Sequence, residues 1–367
     1  MKCNIICNFA VEKKEQQMQD INLQNIQMLS SLLSEAGKTA VITHMKPDGD
    51  AMGSSLAMFH YLDSYGKDCC IVLPDRYPSN LSFLICPRSA SKIVICETQR
   101  KEAARVIEEA DLLICLDFNA FHRTDRLEEF LQESKAKKIL IDHHLNPDRS
   151  VFDLSFSETQ VSSASELLFH ILMETESIGR DASRLPVMSL NALMTGMTTD
   201  TNNFANSVYP STLRMASELL AAGCDRDTIL ANLYNRFSEL RLRLMGHMMK
   251  DLLTITEDGV AYIILDGRTQ YEYKVEDGDT EGFVNMPLSI DRVRMSILLK
   301  EDKDRIRVSI RSKKGISANR CAMRYFNGGG HENAAGGRLS IPADISGIEA
   351  AGQYIEEVTH KFMTVDK

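Results

Sequence analysis

Ile139-Leu140-Ile141-Asp142-His143-His144 decides how the rest of this sequence is read. A short, continuous apolar run is what a strand buried on both faces requires, and this one ends abruptly in an acid and two imidazoles. Two earlier runs end the same way: Val41-Ile42-Thr43-His44 and Leu113-Ile114-Cys115-Leu116-Asp117. Further strand candidates are Thr39–Thr43, Cys69–Leu73, Lys92–Ile95 and Leu112–Leu116, with helical patterns over 21–36 and 56–65 closed by Gly37 and Gly66. Apolar strands alternating with helices predict an α/β domain built on a mostly parallel sheet. In such sheets ligands bind at the carboxyl ends of the strands, so three strand ends deliver polar side chains to one edge.

Working outward, the loop after the first strand reads His44-Met45-Lys46-Pro47-Asp48-Gly49-Asp50, and an apolar stretch over 190–197 runs into Thr198-Thr199-Asp200. His44, Asp48, Asp50, Asp117, His143 and Asp200 make two imidazoles and four carboxylates. Hard oxygen ligands favour Mg²⁺ or Mn²⁺, and imidazole tilts the choice toward Mn²⁺. Without a cation, four clustered carboxylates repel one another and take up protons, a poor way to hold a fold. Taken singly, Asp50 and Asp200 read as turn or cap residues, His44 as a hydrogen-bonded core histidine, and Asp142 as an acid that orients a neighbouring imidazole. Their coincidence at strand ends favours a two-metal site.

The 367 residues predict about two domains, and 44% hydrophobic with 25% charged residues excludes a largely disordered chain. No uncharged apolar run is long enough to span a bilayer, and residues 1–20 read as a polar lead-in outside the folded part. Nine scattered cysteines without a C-x-x-C pair point to reduced thiols and a cytoplasmic location. The net charge of −9 argues against bulk attraction to nucleic acid, yet residues 292–324 carry eleven Lys or Arg against three Asp or Glu. Within that segment, Arg311, Ser312, Lys313 and Lys314 could clamp a terminal phosphate. The run Asn327-Gly328-Gly329-Gly330-His331 offers backbone N–H groups suited to an anion nest, with a tight turn as the plainer reading. The expected layout is a lead-in over 1–20, a catalytic α/β domain over 21–210, a helical linker over 211–253 and a smaller α+β domain over 254–367.

These motifs resemble those of the DHH phosphoesterase superfamily, and Gly328–His331 is similar to the GGGH signature of its DHHA1 carboxyl-terminal domain. The two-domain layout most resembles the NrnA subfamily of oligoribonucleases, many of which also dephosphorylate 3′-phosphoadenosine 5′-phosphate. The resemblance implies one ion held by His44, Asp48 and Asp117, and a second held by Asp50, Asp117, His143 and Asp200. His144 is then left to meet the scissile phosphate or the leaving group, while Arg311 and Gly328–His331 hold the far end of the substrate. It implies a Mn²⁺-dependent hydrolase (Mg²⁺ being the other candidate) in which activated hydroxide attacks short RNA or nucleotide phosphates. No membrane partner is expected, and a homodimer is the assembly considered. Asn327 stands where a fourth glycine is common, and Glu332-Asn333 replaces a more usual pair; both bear on specificity. Dinucleotides of the cyclic-di-AMP pathway form the rival substrate class. A nucleotide-sensing module without catalysis is the non-enzymatic alternative, and the presence of all six ligand positions counts against it.

Overall fold

The computed structural model describes residues 21–234, 238–276, 278–303 and 305–365. The expectation for residues 1–20 lies outside them. The chain divides into two compact units, Met1–Arg236 and Phe237–Lys367.

The first unit is organised by a parallel sheet of six strands: β1 (Lys38–Ile42), β2 (Asp68–Leu73), β3 (Ile93–Ile95), β4 (Leu112–Leu116), β5 (Lys137–Asp142) and β6 (Leu154–Ser157). Their order across the sheet is β3-β2-β1-β4-β5-β6. Every residue of β4 is buried, as a central strand covered on both faces must be. Alternation assigns the two faces. Val41, Leu112, Ile114 and Leu116 pack with the helices Leu23–Glu35, Gly49–Ser64, Ala164–Met173 and Val187–Asp200. Ala40, Ile42, Leu113 and Cys115 face the Cys96–Glu109 helix and the 121–133 region. β1 pairs with β2 on one side and β4 on the other, so the strand order reverses between β1 and β4. That switch point opens a crevice at the carboxyl ends of those strands.

Two helices on the first face approach unusually closely. A Cβ placed on Gly53 would lie 2.6 Å from the Ala192 carbonyl oxygen and 2.9 Å from Gly196 Cα, both backbone atoms of the facing helix. Glycine at Gly53 and Gly196 therefore lets the Gly49–Ser64 and Val187–Asp200 helices come together, which carries Asp200 toward Asp50.

The second unit holds a mixed sheet of β7 (Leu253–Ile255), β8 (Val260–Leu265), β9 (Met295–Asp302), β10 (Arg305–Ser312), β11 (Gly329–His331) and β12 (Ala334–Ser340). Its order is β11-β12-β10-β9-β8-β7, parallel only between β8 and β9. The helices Ala318–Tyr325 and Ala351–Val365 cover one face over Tyr262, Met295, Ile297 and Val308. Leu244, Met248, Phe283 and Val284 cover part of the other, against Ile263, Leu265 and Leu298.

The stretch read as a linker is broken into Pro210–Ala221, Arg226–Tyr234, Glu239–His247 and a last turn, Met248–Leu252. Met215, Leu219, Ile229 and Leu233 belong to the core of the first unit, whereas Leu244 and Met248 belong to that of the second. Among the described residues, no helix is long and apolar enough to cross a membrane.

Candidate metal centre

The crevice between β1 and β4 is where the polar strand ends meet. His44 follows β1, with Nδ1 2.8 Å from the Met45 carbonyl oxygen, so Nδ1–H donates there and Nε2 faces the crevice. That nitrogen lies 3.4 Å from Asp117 Oδ2 and 3.8 Å from Asp48 Oδ1. Asp117 immediately follows β4 in the left-handed region at φ +64°, while its amide donates to the Ile141 carbonyl of the neighbouring strand. Such a conformation is uncommon for any residue but glycine and is best tolerated by Asn and Asp. On the other side of Asp117, His143 Nε2 is 3.4 Å from Asp117 Oδ1, 3.4 Å from Asp200 Oδ2 and 3.9 Å from Asp50 Oδ2.

The two acids of the Asp48-Gly49-Asp50 turn thus separate. Asp48 caps the Gly49–Ser64 helix, accepting from the amides of Asp50 and Ala51, and stays largely exposed. Asp50 lies in the first turn of that helix and is fully buried. Three triads each bring one ligand atom per residue within 4.8 Å of one another: His44/Asp48/Asp117, Asp50/His143/Asp200 and Asp117/His143/His144. The structure brings all six expected ligands together, with Asp117 between the two sides. His144 Nδ1 is 2.7 Å from Asp142 Oδ1, so the acid before the double histidine orients the second imidazole.

The electrostatics are those of an anion-rich, dehydrated cluster. Burial, reinforced by the Asp117 charge, pushes Asp50 up to about 7. Burial and the Asp50 carboxylate likewise drive Asp200 well above the usual carboxylate range. Burial alone would raise Asp117 too, but the imidazoles of His143 and His44 outweigh it and hold that carboxyl far below its ordinary value. Burial would lower His143, yet Asp117 and Asp200 overcome it and take the imidazole to about 10. His44 moves the same way, against its burial, through Asp117 and Asp48. Asp117 Oδ1 is buried and makes no hydrogen bond among the described residues. A buried oxygen that makes no hydrogen bond, with an imidazole nitrogen 3.4 Å away and carboxylate and imidazole groups on two sides, fits a pair of divalent cations.

The remaining expected residues lie in the second unit. Arg311 and Ser312 end β10, and His331 ends β11. His331 is opposite Ala334, and Ala334 opposite Arg311, so the imidazole and the guanidinium emerge on one face of the sheet. The Gly run does not form the open nest expected of it. The Gly328 amide donates to the Ala322 carbonyl and the Gly330 amide to Asn319 Oδ1. The glycines are there for close approach, since a Cβ on Gly328 would lie 1.9 Å from the Gly336 carbonyl oxygen and one on Gly330 2.6 Å from that of Ala334. Glu332 accepts from Ser317 Oγ, and the Asn333 amide group donates to the Lys313 and Ile316 carbonyls, so both brace this loop.

The comparisons agree with this architecture. The DHH family N-terminal domain matches residues 38–197, and the DHHA1 domain matches residues 257–359. The chain belongs to the DHH family. As a DHH-family phosphoesterase it is a hydrolase. A crystal structure of an exopolyphosphatase-related protein from Bacteroides fragilis is 36% identical with a TM-score of 0.86, covering 93% of this chain and 97% of that one. The bifunctional oligoribonuclease and PAP phosphatase NrnA of Bacillus subtilis (strain 168) is 28% identical over 304 residues, covering 81% of this chain and 87% of that protein. The cyclic-di-AMP phosphodiesterase PdeA of Listeria monocytogenes is 26% identical over 345 residues, which is 90% of this chain but 49% of the relative.

Sequence reasoning missed what holds Asp50. Its two oxygens accept from the amides of Ala164 and Ser165, at 2.6 and 2.9 Å. The signal was present: Ser163-Ala164-Ser165-Glu166 before Leu167-Leu168-Phe169 has the S-x-x-E spacing that opens a helix.

Proposed function

We propose that this chain is a cytoplasmic, divalent-metal-dependent phosphohydrolase that cleaves very short oligoribonucleotides and dephosphorylates 3′-phosphoadenosine 5′-phosphate. The observation that carries the reading is Asp117, set at the strand-order switch point with His44 on one side and His143 on the other. On this reading His44, Asp48 and Asp117 hold one cation, while Asp50, Asp117, His143 and Asp200 hold the second. Bound there, Mn²⁺ or Mg²⁺ would supply Lewis-acid polarisation of the phosphoryl group and a hydroxide nucleophile at neutral pH. His144, with Nδ1–H committed to Asp142, presents Nε2 to a phosphoryl oxygen or to the leaving oxygen. In the second unit, Arg311 and His331 bind the anionic far end of the substrate, Ser312 and Gly328–Gly330 set the loops around them, and residues 254–367 are the substrate-holding domain. Similarity to the oligoribonuclease and PAP phosphatase of Bacillus subtilis supports these substrates over others. Buried free thiols at Cys69, Cys96, Cys115, Cys224 and Cys321 suit a reducing compartment.

The similarity to a cyclic-di-AMP phosphodiesterase supports a second substrate class, linear or cyclic dinucleotides. One panel separates the two: Mn²⁺-dependent release of product from RNA dimers to pentamers, 3′-phosphoadenosine 5′-phosphate, pApA and cyclic-di-AMP. The expected order places short RNA and the bisphosphate first, with Asp117→Ala folded and inactive on all of them. Comparable turnover by Asp117→Ala would remove the mechanism, and a clear preference for cyclic-di-AMP would transfer the assignment to the second class.

A further inference from the structure

The Ala164–Met173 helix supplies no expected ligand, yet its first two amides grip both oxygens of Asp50. The orientation that Asp50 presents to His143 therefore depends on where this first turn sits. Glu166 holds it there. Its side chain is fully buried, and one oxygen accepts from the Ser162 amide at 2.9 Å, the Ser162 hydroxyl at 2.5 Å and the Thr212 hydroxyl at 2.7 Å. Thr212 belongs to the Pro210–Ala221 helix, so one carboxylate ties the residues preceding the turn to a second helix. The Glu166 amide in turn donates to Ser163 Oγ at 3.0 Å, closing the cap from inside.

We infer that Glu166 is a positioning residue for one side of the centre, the Asp50/His143/Asp200 triad, acting through the amides of Ala164 and Ser165. The His44/Asp48/Asp117 side shares Asp117 with that triad and meets Asp50 only at its backbone amide, which donates to Asp48 Oδ1 at 3.0 Å; among the described residues, neither the Ala164 nor the Ser165 amide donates to its carboxylates. This inference rests on the two-cation reading above and adds an asymmetry to it: disturbing Glu166 weakens one cation and spares the other. The amides that grip Asp50 are supporting groups of the kind worth roughly 10–100-fold in metal affinity, and Glu166 draws on that same range by setting their position. A purely architectural Glu166 would weaken both sites together through lost stability, or neither.

The test is calorimetric titration of the metal-stripped full-length chain with MnCl₂. Wild type is expected to bind two equivalents. Glu166→Ala, folded by circular dichroism, is expected to bind one equivalent unchanged and the other about 10–100-fold more weakly. The weakened equivalent should be the one that Asp200→Asn abolishes, not the one that His44→Ala abolishes. Glu166→Gln keeps an oxygen acceptor and should recover most of the affinity. Thr212→Val removes one tether and should move the same equivalent less; if Glu166→Ala does not fold, this variant decides. Two unchanged affinities, or an equal loss at both, would overturn the inference. Fewer than two equivalents in wild type would instead overturn the two-cation reading.

Discussion

Replacing Gly53 with alanine sets two effects of opposite sign against each other. Alanine in a helix interior is favoured over glycine by about 1 kcal/mol. Against that gain, the new Cβ would stand 2.6 Å from the Ala192 carbonyl oxygen, 2.8 Å from the Gly196 amide nitrogen and 2.9 Å from Gly196 Cα. Ordinary contacts begin near 3.4 Å, and all three neighbours are backbone, so no side chain can swing aside. The two helices must separate by roughly half an ångström or more, which forfeits part of the dispersion contact along their length, and overpacking of this kind costs about 1–3 kcal/mol. With rigid neighbours the upper end applies, leaving a net loss of about 2 kcal/mol. For a unit of this size that lowers Tm by about 4–8 °C. Because the parted helices carry Asp50 and Asp200, Mn²⁺ affinity should fall as well. Calorimetric melting of the full chain beside a Mn²⁺ titration reads both. An unchanged or raised Tm in Gly53→Ala would refute the packing argument and leave helix propensity as the deciding effect.

Two further outcomes can be checked in the same way. Gly246 lies inside the Glu239–His247 helix, and a Cβ there would meet no atom within 4 Å, so Gly246→Ala should stabilise the second unit by about 1 kcal/mol in denaturant melts; destabilisation would show a contact that the structure lacks. Burial alone would raise the Glu166 carboxyl, but His170, Ser162, Ser211 and Thr212 outweigh it and bring it down to about 2, below its value of 4.5 in an unfolded chain. Its contribution, on the order of 3 kcal/mol, is therefore complete above about pH 4.5 and drains away as the pH falls toward 2. Acid unfolding of Glu166→Gln should show a shallower loss over that window, and superimposable acid limbs would contradict it.

Much of the first unit was legible because burial on both faces leaves a plain record: β1, β2, β4 and β5 are apolar runs, and three of them stop at the residues that line the crevice. β6 left a fainter one. Its four residues, Leu154-Ser155-Phe156-Ser157, alternate between buried and half-buried positions at the sheet edge, too short a pattern to stand out. β11 and β12 were hidden for a different reason. Gly329-Gly330-His331 and Ala334-Ala335-Gly336-Gly337 lack the branched and aromatic residues that mark strands, so the segment read as an anion-binding loop. The site was legible where its proposed ligands follow strands. What supports it was not, because the encounter of Asp50 with Ala164 and Ser165 joins positions 114 and 115 residues apart and is set by helix packing.

The double duty of Asp50 changes how variants at this centre should be interpreted. Taking away its carboxylate strands two buried amides at the start of another helix, so a dead Asp50 protein reports on folding as much as on chemistry. At Asp117, Asn keeps the residue type that the left-handed backbone at φ +64° tolerates and removes only the charge, so Asp117→Asn is the cleaner knockout. An inactivation survey that ranked the six proposed ligands by lost turnover alone would mistake a scaffold strut for the strongest catalytic group.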